Sequence, residues 1–190
     1  MVFKLCIPLI CFLVPLGNTR ETESKLDACA LVQNSEIAAV QGALVQQAEP
    51  SMQKNGHLDI AQCYYTAVSA DGAKNLSVYL QVIQLNPQSN ERGALKSFWE
   101  ERFRRASKEK EREEREEAAG EEEEEAINAP VRVAGIGDEA YWLGSSRGGA
   151  LYVLKKKRVL RVTVGDAGGG AKAQLERSKT LARKALARLA

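Results

Sequence analysis

The sequence predicts an α+β fold, with an antiparallel sheet of about five to seven strands packed by N-terminal, middle and C-terminal helices. Segments that alternate apolar and polar residues occur in neighbouring groups, which favours an antiparallel sheet over a doubly wound one. Helical spacing returns between these groups and again at the end of the chain. The roughly 170 residues that follow an N-terminal apolar run are enough for one domain with a hydrophobic core.

The first 19 residues have the pattern of a secretory signal peptide. Lys4 precedes an apolar run from Leu5 to Gly17, which is shorter than the ~18 apolar residues of a spanning helix. We therefore expect residues 1–19 to be a signal peptide and residues 20–190 to form a single secreted or periplasmic domain. The residues around the expected cleavage point match the small-residue rule only weakly, so an uncleaved N-terminal anchor is the alternative.

The four cysteines divide between the apolar run and the domain. Lipid anchoring at Cys11 is disfavoured, because Pro8-Leu9-Ile10 lacks the leucine and the small residue that precede a lipoprotein cysteine. Cys29 and Cys63 remain after export and allow one bridge, which would stabilise the fold by roughly 3–4 kcal/mol. Metal binding by this pair is disfavoured because no neighbouring cysteine or histidine supplies further ligands.

The first half of the domain predicts one helix followed by strands. Ala30–Gly42 has cap-type residues, helical apolar spacing and a glycine stop, which predict a short helix. Ala43–Glu49 is a further candidate strand, and Pro50–Gly56 is rich in turn residues. Ile60–Val68 and Leu76–Leu85 have strand character, and the second of them alternates strictly.

The middle of the chain predicts a helix that loses its apolar face. Ala94–Ala119 has helical spacing, with its apolar anchors confined to the first turns. We interpret residues 108–126 as a low-complexity, glutamate-rich insertion, polar on all sides and of a composition typical of a coiled coil.

The last third predicts a hairpin and a helix. Val131–Val133 precedes a glycine turn that leads into Tyr141-Trp142. Ala150–Leu154 and Val159–Val164 are β-rich arms, with Lys155–Arg158 at or beside their turn. An amphipathic C-terminal helix follows over Ala171–Ala190.

Charge is distributed unevenly although the whole chain carries a formal charge of only +2. Residues 98–125 contain seven basic residues and thirteen glutamates, whereas residues 141–190 contain twelve basic residues and two acidic ones. The two segments can neutralise each other or contact an external partner. Export and the lack of a basic motif with interleaved aromatic residues argue against nucleic acid.

Candidate catalytic groups lack the context that catalysis requires. The glycines of Gly135–Glu139 are followed by a strand-like segment, so we interpret this stretch as a tight turn and not as a phosphate loop. The alternative function, an envelope hydrolase or transferase, would depend on Asp138, Glu139 or His57. However, His57 is the only histidine, and no Gly-x-Ser-x-Gly elbow accompanies it.

Candidate binding residues are aromatic or basic. Aromatic residues, Trp99, Tyr64 and Tyr79 among them, would line a ligand pocket or pack in the core. The basic hairpin turn would contact anionic lipid, polysaccharide or an acidic protein, including weak contact with a membrane surface, or would serve only to solubilise the tip. No cofactor or metal site is expected. The candidate binding residues are Tyr65, Tyr141, Trp142, Lys155, Lys156, Lys157 and Arg158.

One ordered series of motifs resembles a known group of proteins. The series comprises Asp27–Val32, Gln62–Tyr65 and Gly135–Trp142. It resembles small exported bacterial domains of unknown function, found in actinobacterial lipoproteins and acidobacterial secreted proteins. The resemblance implies an α+β domain outside the cytoplasm in which Cys29 and Cys63 pair, without known enzymatic activity. The absent lipoprotein motif and the glutamate-rich insertion depart from that pattern.

These observations favour an exported, non-enzymatic protein of the bacterial envelope. We expect it to bind a small ligand or an envelope or extracellular partner.

Overall fold

The computed structural model describes residues 26–69, 72, 75–105, 129–145, 148–165 and 168–189. The predicted signal peptide (1–19) and glutamate-rich insertion (108–126) lie outside these ranges. The strands are β1 Val45–Asn55, β2 Leu58–Val68, β3 Asn75–Leu85, β4 Val131–Arg132, β5 Glu139–Ser145, β6 Gly148–Lys155 and β7 Arg158–Val164. The helices are a 3-10 helix Ala28–Leu31, α1 Asn34–Gln41, α2 Ala94–Trp99 with a π-helical continuation Glu100–Arg105, and α3 Gly170–Arg188.

Within the described residues, the seven strands form one antiparallel sheet in the order β1-β2-β3-β7-β6-β5-β4. This arrangement confirms the predicted α+β fold and its N-terminal, middle and C-terminal helices. Strict alternation in β3 explains its central place, because Val78, Leu80 and Val82 point to one face and are nearly inaccessible to solvent.

One face of the sheet packs against the 3-10 helix, α1 and α3, and we call this cluster the α3-side core. Helix α3 contributes Leu181, Ala182 and Ala185, which lie on one stripe at helical spacing and are fully buried. The cysteine pair ties this layer together. Cys29 in the 3-10 helix forms a disulfide with Cys63 in β2, at a sequence separation of 34.

The other face packs against α2 and its continuation, and we call this cluster the α2-side core. Leu95, Trp99 and Phe103 are all buried in it. Phe103 stacks on Tyr141 at a ring-centroid distance of 5.4 Å and lies 4.9 Å from Tyr152. These contacts hold α2 and its continuation against the strands. They account for the apolar anchors that the sequence has in the first turns of Ala94–Ala119.

The edge strand β1 extends further than the sequence suggested. The prediction of a turn over Pro50–Gly56 was wrong, because β1 stays paired with β2 as far as Asn55 opposite Leu58. The turn is confined to Gly56 and His57, where Gly56 adopts φ +57°. Proline has no backbone N–H to donate. Pro50 is compatible with this strand because the outer side of an edge strand does not hydrogen-bond to another strand.

Candidate functional site

An open cleft of about 960 Å³ lies at the end of the sheet where α2 begins. Its walls are the loop 86–93, the first turns of α2 and the tip of the β6–β7 hairpin. Apolar side chains form its floor, namely Leu85, Leu95, Trp99 and Leu154. We call it the cationic cleft, because its polar rim is dominated by positive charge.

Among the residues that the structure describes, five cations and a single carboxylate line this cleft. The carboxylate, Glu100, lies 3.3 Å from Arg104 and 3.8 Å from Lys96. Both are exposed i,i+4 pairs, which contribute little energy. The other three cations, Arg92, Lys156 and Lys157, are exposed and form no ion pair with any residue that the structure describes.

The glycine turn before β5 holds two of these cations in place. Asp138 accepts a hydrogen bond from the Lys156 backbone N–H at 2.6 Å and forms an ion pair with Lys155 at 2.8 Å. Hydrogen bonds from Lys155 and then from the Lys156 backbone lower the pKa of Asp138. Lys156 adopts φ +53°, a conformation rare for a non-glycine residue. Asp138 therefore organises the two-residue turn that presents Lys156 and Lys157 to the cleft.

Glu139 is held by three side chains beneath the cleft. It accepts hydrogen bonds from Trp99 Nε1 at 2.6 Å, Arg104 Nη2 at 3.0 Å and the Tyr141 hydroxyl at 3.3 Å. Burial raises the pKa of Glu139, but the hydrogen bonds from Arg104 and Trp99 outweigh burial and bring the pKa below its usual range. Glu139 therefore stays ionised and anchors α2. A general acid must carry a proton to donate, so an ionised Glu139 is unsuited to that role.

His57 supports the cleft wall. Its Nδ1 lies 2.9 Å from Ser89 Oγ, and its carbonyl accepts a hydrogen bond from the Asn86 backbone N–H. Ser89 Oγ also accepts a hydrogen bond from the Glu91 backbone N–H, so it serves the fold of this loop. Both side chains are solvent-accessible, and no contact found in the described chain places a carboxylate on the other nitrogen of His57. A serine–histidine triad requires that third group.

The other candidate binding residues lie outside the cationic cleft. Tyr65 is buried in the α3-side core, where its hydroxyl donates to the Cys29 carbonyl at 3.0 Å. Burial raises its pKa to about 12. Tyr141 is buried in the α2-side core, and Trp142 in the α3-side core. These three aromatic residues therefore pack the fold.

The four residues of the basic turn divide between two places. Lys156 and Lys157 line the cleft, whereas Lys155 pairs with Asp138. Arg158 donates a hydrogen bond to the Leu189 carbonyl at 2.6 Å and borders a second hollow of about 590 Å³, which it shares with Lys157. Among residues the structure describes, no group of three or more histidine, cysteine or acidic side chains could hold a metal.

Sequence reasoning missed Arg92, Lys96 and Arg104 as partners of the basic turn. Arg92 lies in a loop of turn residues, and Lys96 and Arg104 lie on the polar side of a helix, so each has an ordinary local pattern. Only the packing of α2 against Tyr141 and Tyr152 brings them to the hairpin tip. No signal in the local sequence could have found this grouping.

Comparisons with protein-family models, with curated proteins and with solved structures found no significant match to this chain. In the described ranges, no helix has the length and apolar character needed to cross a membrane.

Proposed function

We propose that this chain is an exported, non-enzymatic binding protein whose cationic cleft takes an anionic amphiphile. By this we mean a molecule with a phosphate, carboxylate or sulfate group next to an apolar part. The observation that carries the proposal is the excess of cations around a floor that includes Leu95, Trp99 and Leu154. An apolar floor with a few convergent polar groups is the usual composition of a ligand site.

The electrostatics of the cleft favour an external anion. Exposed lysines and arginines that lack carboxylate partners attract a ligand anion without first breaking an internal ion pair. Arg92, Lys156 and Lys157 are exposed and have no carboxylate partner among the described residues. The constrained Lys156 backbone adds to this argument, because the turn presents two adjacent cations in a fixed arrangement.

Three arguments support the location and the non-enzymatic role. The Cys29–Cys63 disulfide is compatible with an oxidising compartment, where such bonds persist. The groups that an enzyme would use are occupied in structural contacts, since Asp138 holds a turn, Glu139 holds α2 and His57 holds a loop. The resemblance to exported bacterial domains points to the same compartment.

The test uses the two tryptophans as paired reporters. Trp99 lines the cleft, whereas Trp142 lies on the opposite face of the sheet. In protein labelled with 5-fluorotryptophan, we expect dihexanoylphosphatidylglycerol to shift the ¹⁹F resonance of Trp99 saturably and to leave that of Trp142 in place. The zwitterionic dihexanoylphosphatidylcholine should bind more weakly, and added salt should reduce affinity for the anionic lipid.

Two charge variants locate the site. Lys156→Asn with Lys157→Gln should weaken binding by about fivefold or more, because two exposed cations are lost. Asparagine is chosen because it tolerates the left-handed backbone. Lys172→Gln with Arg183→Gln removes the same charge from exposed positions of α3 and should have little effect. Equal losses in both variants, or equal binding of the two lipids, would contradict the proposal.

A further inference from the structure

A second polar cluster lies on the α2-side face of the sheet, away from the cationic cleft. The strand register places Gln62, Gln81, Arg161 and Tyr152 opposite one another on β2, β3, β7 and β6. Side chains directly opposite in an antiparallel sheet share a face and touch. Gln62 and Gln81 are each only 8 % exposed and Arg161 is half-buried, so this row is a largely buried polar strip across the sheet.

Arg161 is held between two aromatic rings in this strip. Its guanidinium carbon lies 5.3 Å from the ring centroid of Tyr79 and 5.5 Å from that of Tyr152. A second guanidinium, that of Arg102, lies 5.6 Å from the ring centroid of Tyr152. Both guanidinium groups therefore lie within cation–π distance of the Tyr152 ring.

The Gln62 and Gln81 amides of this cluster are hydrogen-bonded to Ser51 and Tyr79, but two other polar atoms lack a partner within the described chain. Arg161 Nε and the Thr163 hydroxyl oxygen are both buried and have no hydrogen-bond partner among the described residues. Neither Arg102 nor Arg161 forms an ion pair with a residue in the described part of the chain. A half-buried guanidinium without an anion carries a desolvation cost, and an oxyanion that accepts two parallel N–H bonds is the partner that offsets it.

We propose that Arg161, with Arg102 and Thr163, forms a second binding site that takes the oxyanion of an acidic sugar. Arg161 donates to the oxyanion from its planar fork, Thr163 donates from its hydroxyl, and Arg102, which also contacts the Tyr152 ring, supplies further positive charge. The site is separate from the cationic cleft, because none of these three residues lines that cleft.

The surroundings of Arg161 favour a sugar as the carrier of the oxyanion. Tyr64 lies opposite Tyr79, the ring that Arg161 contacts, and is 42 % exposed, so an accessible aromatic side chain lies one strand beyond that ring. The Tyr79 hydroxyl accepts a hydrogen bond from Gln81 at 3.4 Å and keeps its own proton to donate, and burial raises its pKa further. Gln62 Oε1 accepts from Ser51 and Gln81 Nε2 donates to Tyr79, which leaves the Gln62 amide nitrogen and the Gln81 amide oxygen to bond sugar hydroxyls. Aromatic faces beside paired amides suit a polyhydroxylated ring.

The experiment titrates the disulfide-bonded protein with glucuronate, glucose 6-phosphate and glucose. Binding is measured by isothermal titration calorimetry and by the ¹⁵N–¹H resonance of Arg161 Nε, assigned with the Arg161→Lys variant. We expect glucuronate or glucose 6-phosphate to bind and to shift this resonance, and glucose to bind more weakly. The stronger of the two acids identifies carboxylate or phosphate as the preferred oxyanion.

Two variants separate binding from folding. Arg161→Lys keeps the charge but loses the planar fork and should weaken binding about tenfold. Thr163→Val removes an unpartnered buried hydroxyl, so it should weaken binding while leaving the unliganded protein at least as resistant to urea. The cleft variant of Lys156 and Lys157 should bind the acid normally. Wild-type affinity in both Arg161→Lys and Thr163→Val, loss of binding in the cleft variant, or no binding of either acid at about 10 mM would overturn the proposal.

Discussion

Glu36 joins the start of α1 to the end of α3. Its carboxylate accepts hydrogen bonds from Arg188 at 2.8 and 3.0 Å, from Lys184 at 3.2 Å and from the Gln33 backbone N–H at 2.9 Å. The hydrogen bonds from Arg188 are the largest influence, and together with those from Gln33 and Lys184 they outweigh burial and lower the pKa of Glu36 from 4.5 to about 2. One charged residue therefore connects two helices that are far apart in the sequence.

This pKa shift predicts a specific dependence of stability on pH. Because the folded pKa lies below the unfolded one, the stabilisation is fully present above about pH 4.5 and is lost as pH falls through about 2. We expect Glu36→Gln to lower the free energy of unfolding by about 1–2 kcal/mol at pH 7, allowing for solvent screening, and by much less near pH 2. Urea denaturation at both pH values measures the difference.

Glu176→Gln, which removes an exposed pair with Lys179 on α3, is the control and should change stability little. A pH-independent cost for Glu36→Gln would contradict the assignment.

The two glycines before β5 provide a second test at the residue scale. Gly135 and Gly137 both adopt positive φ, +76° and +64°. A Cβ at Gly135 would meet no atom of the described residues within 4 Å, whereas one at Gly137 would overlap Val153 and lie 2.6 Å from the Leu154 carbonyl oxygen. We therefore expect Gly135→Ala to cost about 1–2 kcal/mol of stability from backbone conformation alone. Gly137→Ala should cost about 3 kcal/mol or more. Urea midpoints for the two variants measure this, and equal costs would show that the close packing is unimportant.

The elements that sequence reasoning found are those whose local pattern and tertiary environment agree. β3 alternates because one of its faces is buried along its whole length, and the β6–β7 arms are β-rich around a basic two-residue turn. β1 shows the opposite case, since an exposed edge strand needs no apolar alternation and can include Pro50. The same reasoning applies to the candidate site. Lys156 and Lys157 were predictable at a hairpin tip, whereas the grouping around Arg161 depends on the register of four strands.

The 3-10 helix depends on covalent attachment more than the other helical elements do. It has four residues, Ala28–Leu31, and is held by the disulfide, by the Tyr65 hydroxyl and by Asp27, which accepts a hydrogen bond from the Cys29 backbone N–H at 2.8 Å. So short a helix has little stability of its own.

Cys29→Ala with Cys63→Ala should lower the free energy of unfolding by about 3–4 kcal/mol, as expected for closing a loop of this length. Urea denaturation of the oxidised wild type, the reduced wild type and the double variant measures it. We expect the reduced wild type and the double variant to coincide. A reduced protein as stable as the oxidised one would show that the bridge does not constrain the unfolded chain.

At the scale of the whole molecule, two cores share a single sheet. The α3-side core and the α2-side core take alternate residues of the same strands, as in β7, where Leu160 and Val162 face α3 and Val159 faces α2. Loss of strand pairing therefore destroys both cores at once. The proposed cleft and the proposed Arg161 site both lie on the α2 side, so each depends on a layer that is anchored mainly by Leu95, Trp99 and Phe103.

This shared sheet predicts one cooperative unfolding transition. In protein labelled with 5-fluorotryptophan, Trp99 reports on the α2-side core and Trp142 on the α3-side core within the same molecule. We expect both native ¹⁹F resonances to disappear over the same range of urea concentration, because neither layer keeps its packing partner once the central strands separate. The Trp99→Phe variant assigns the two resonances. Earlier loss of the Trp99 resonance would show that α2 detaches while the sheet and α3 remain folded, and binding at both proposed sites should then fail at that lower urea concentration.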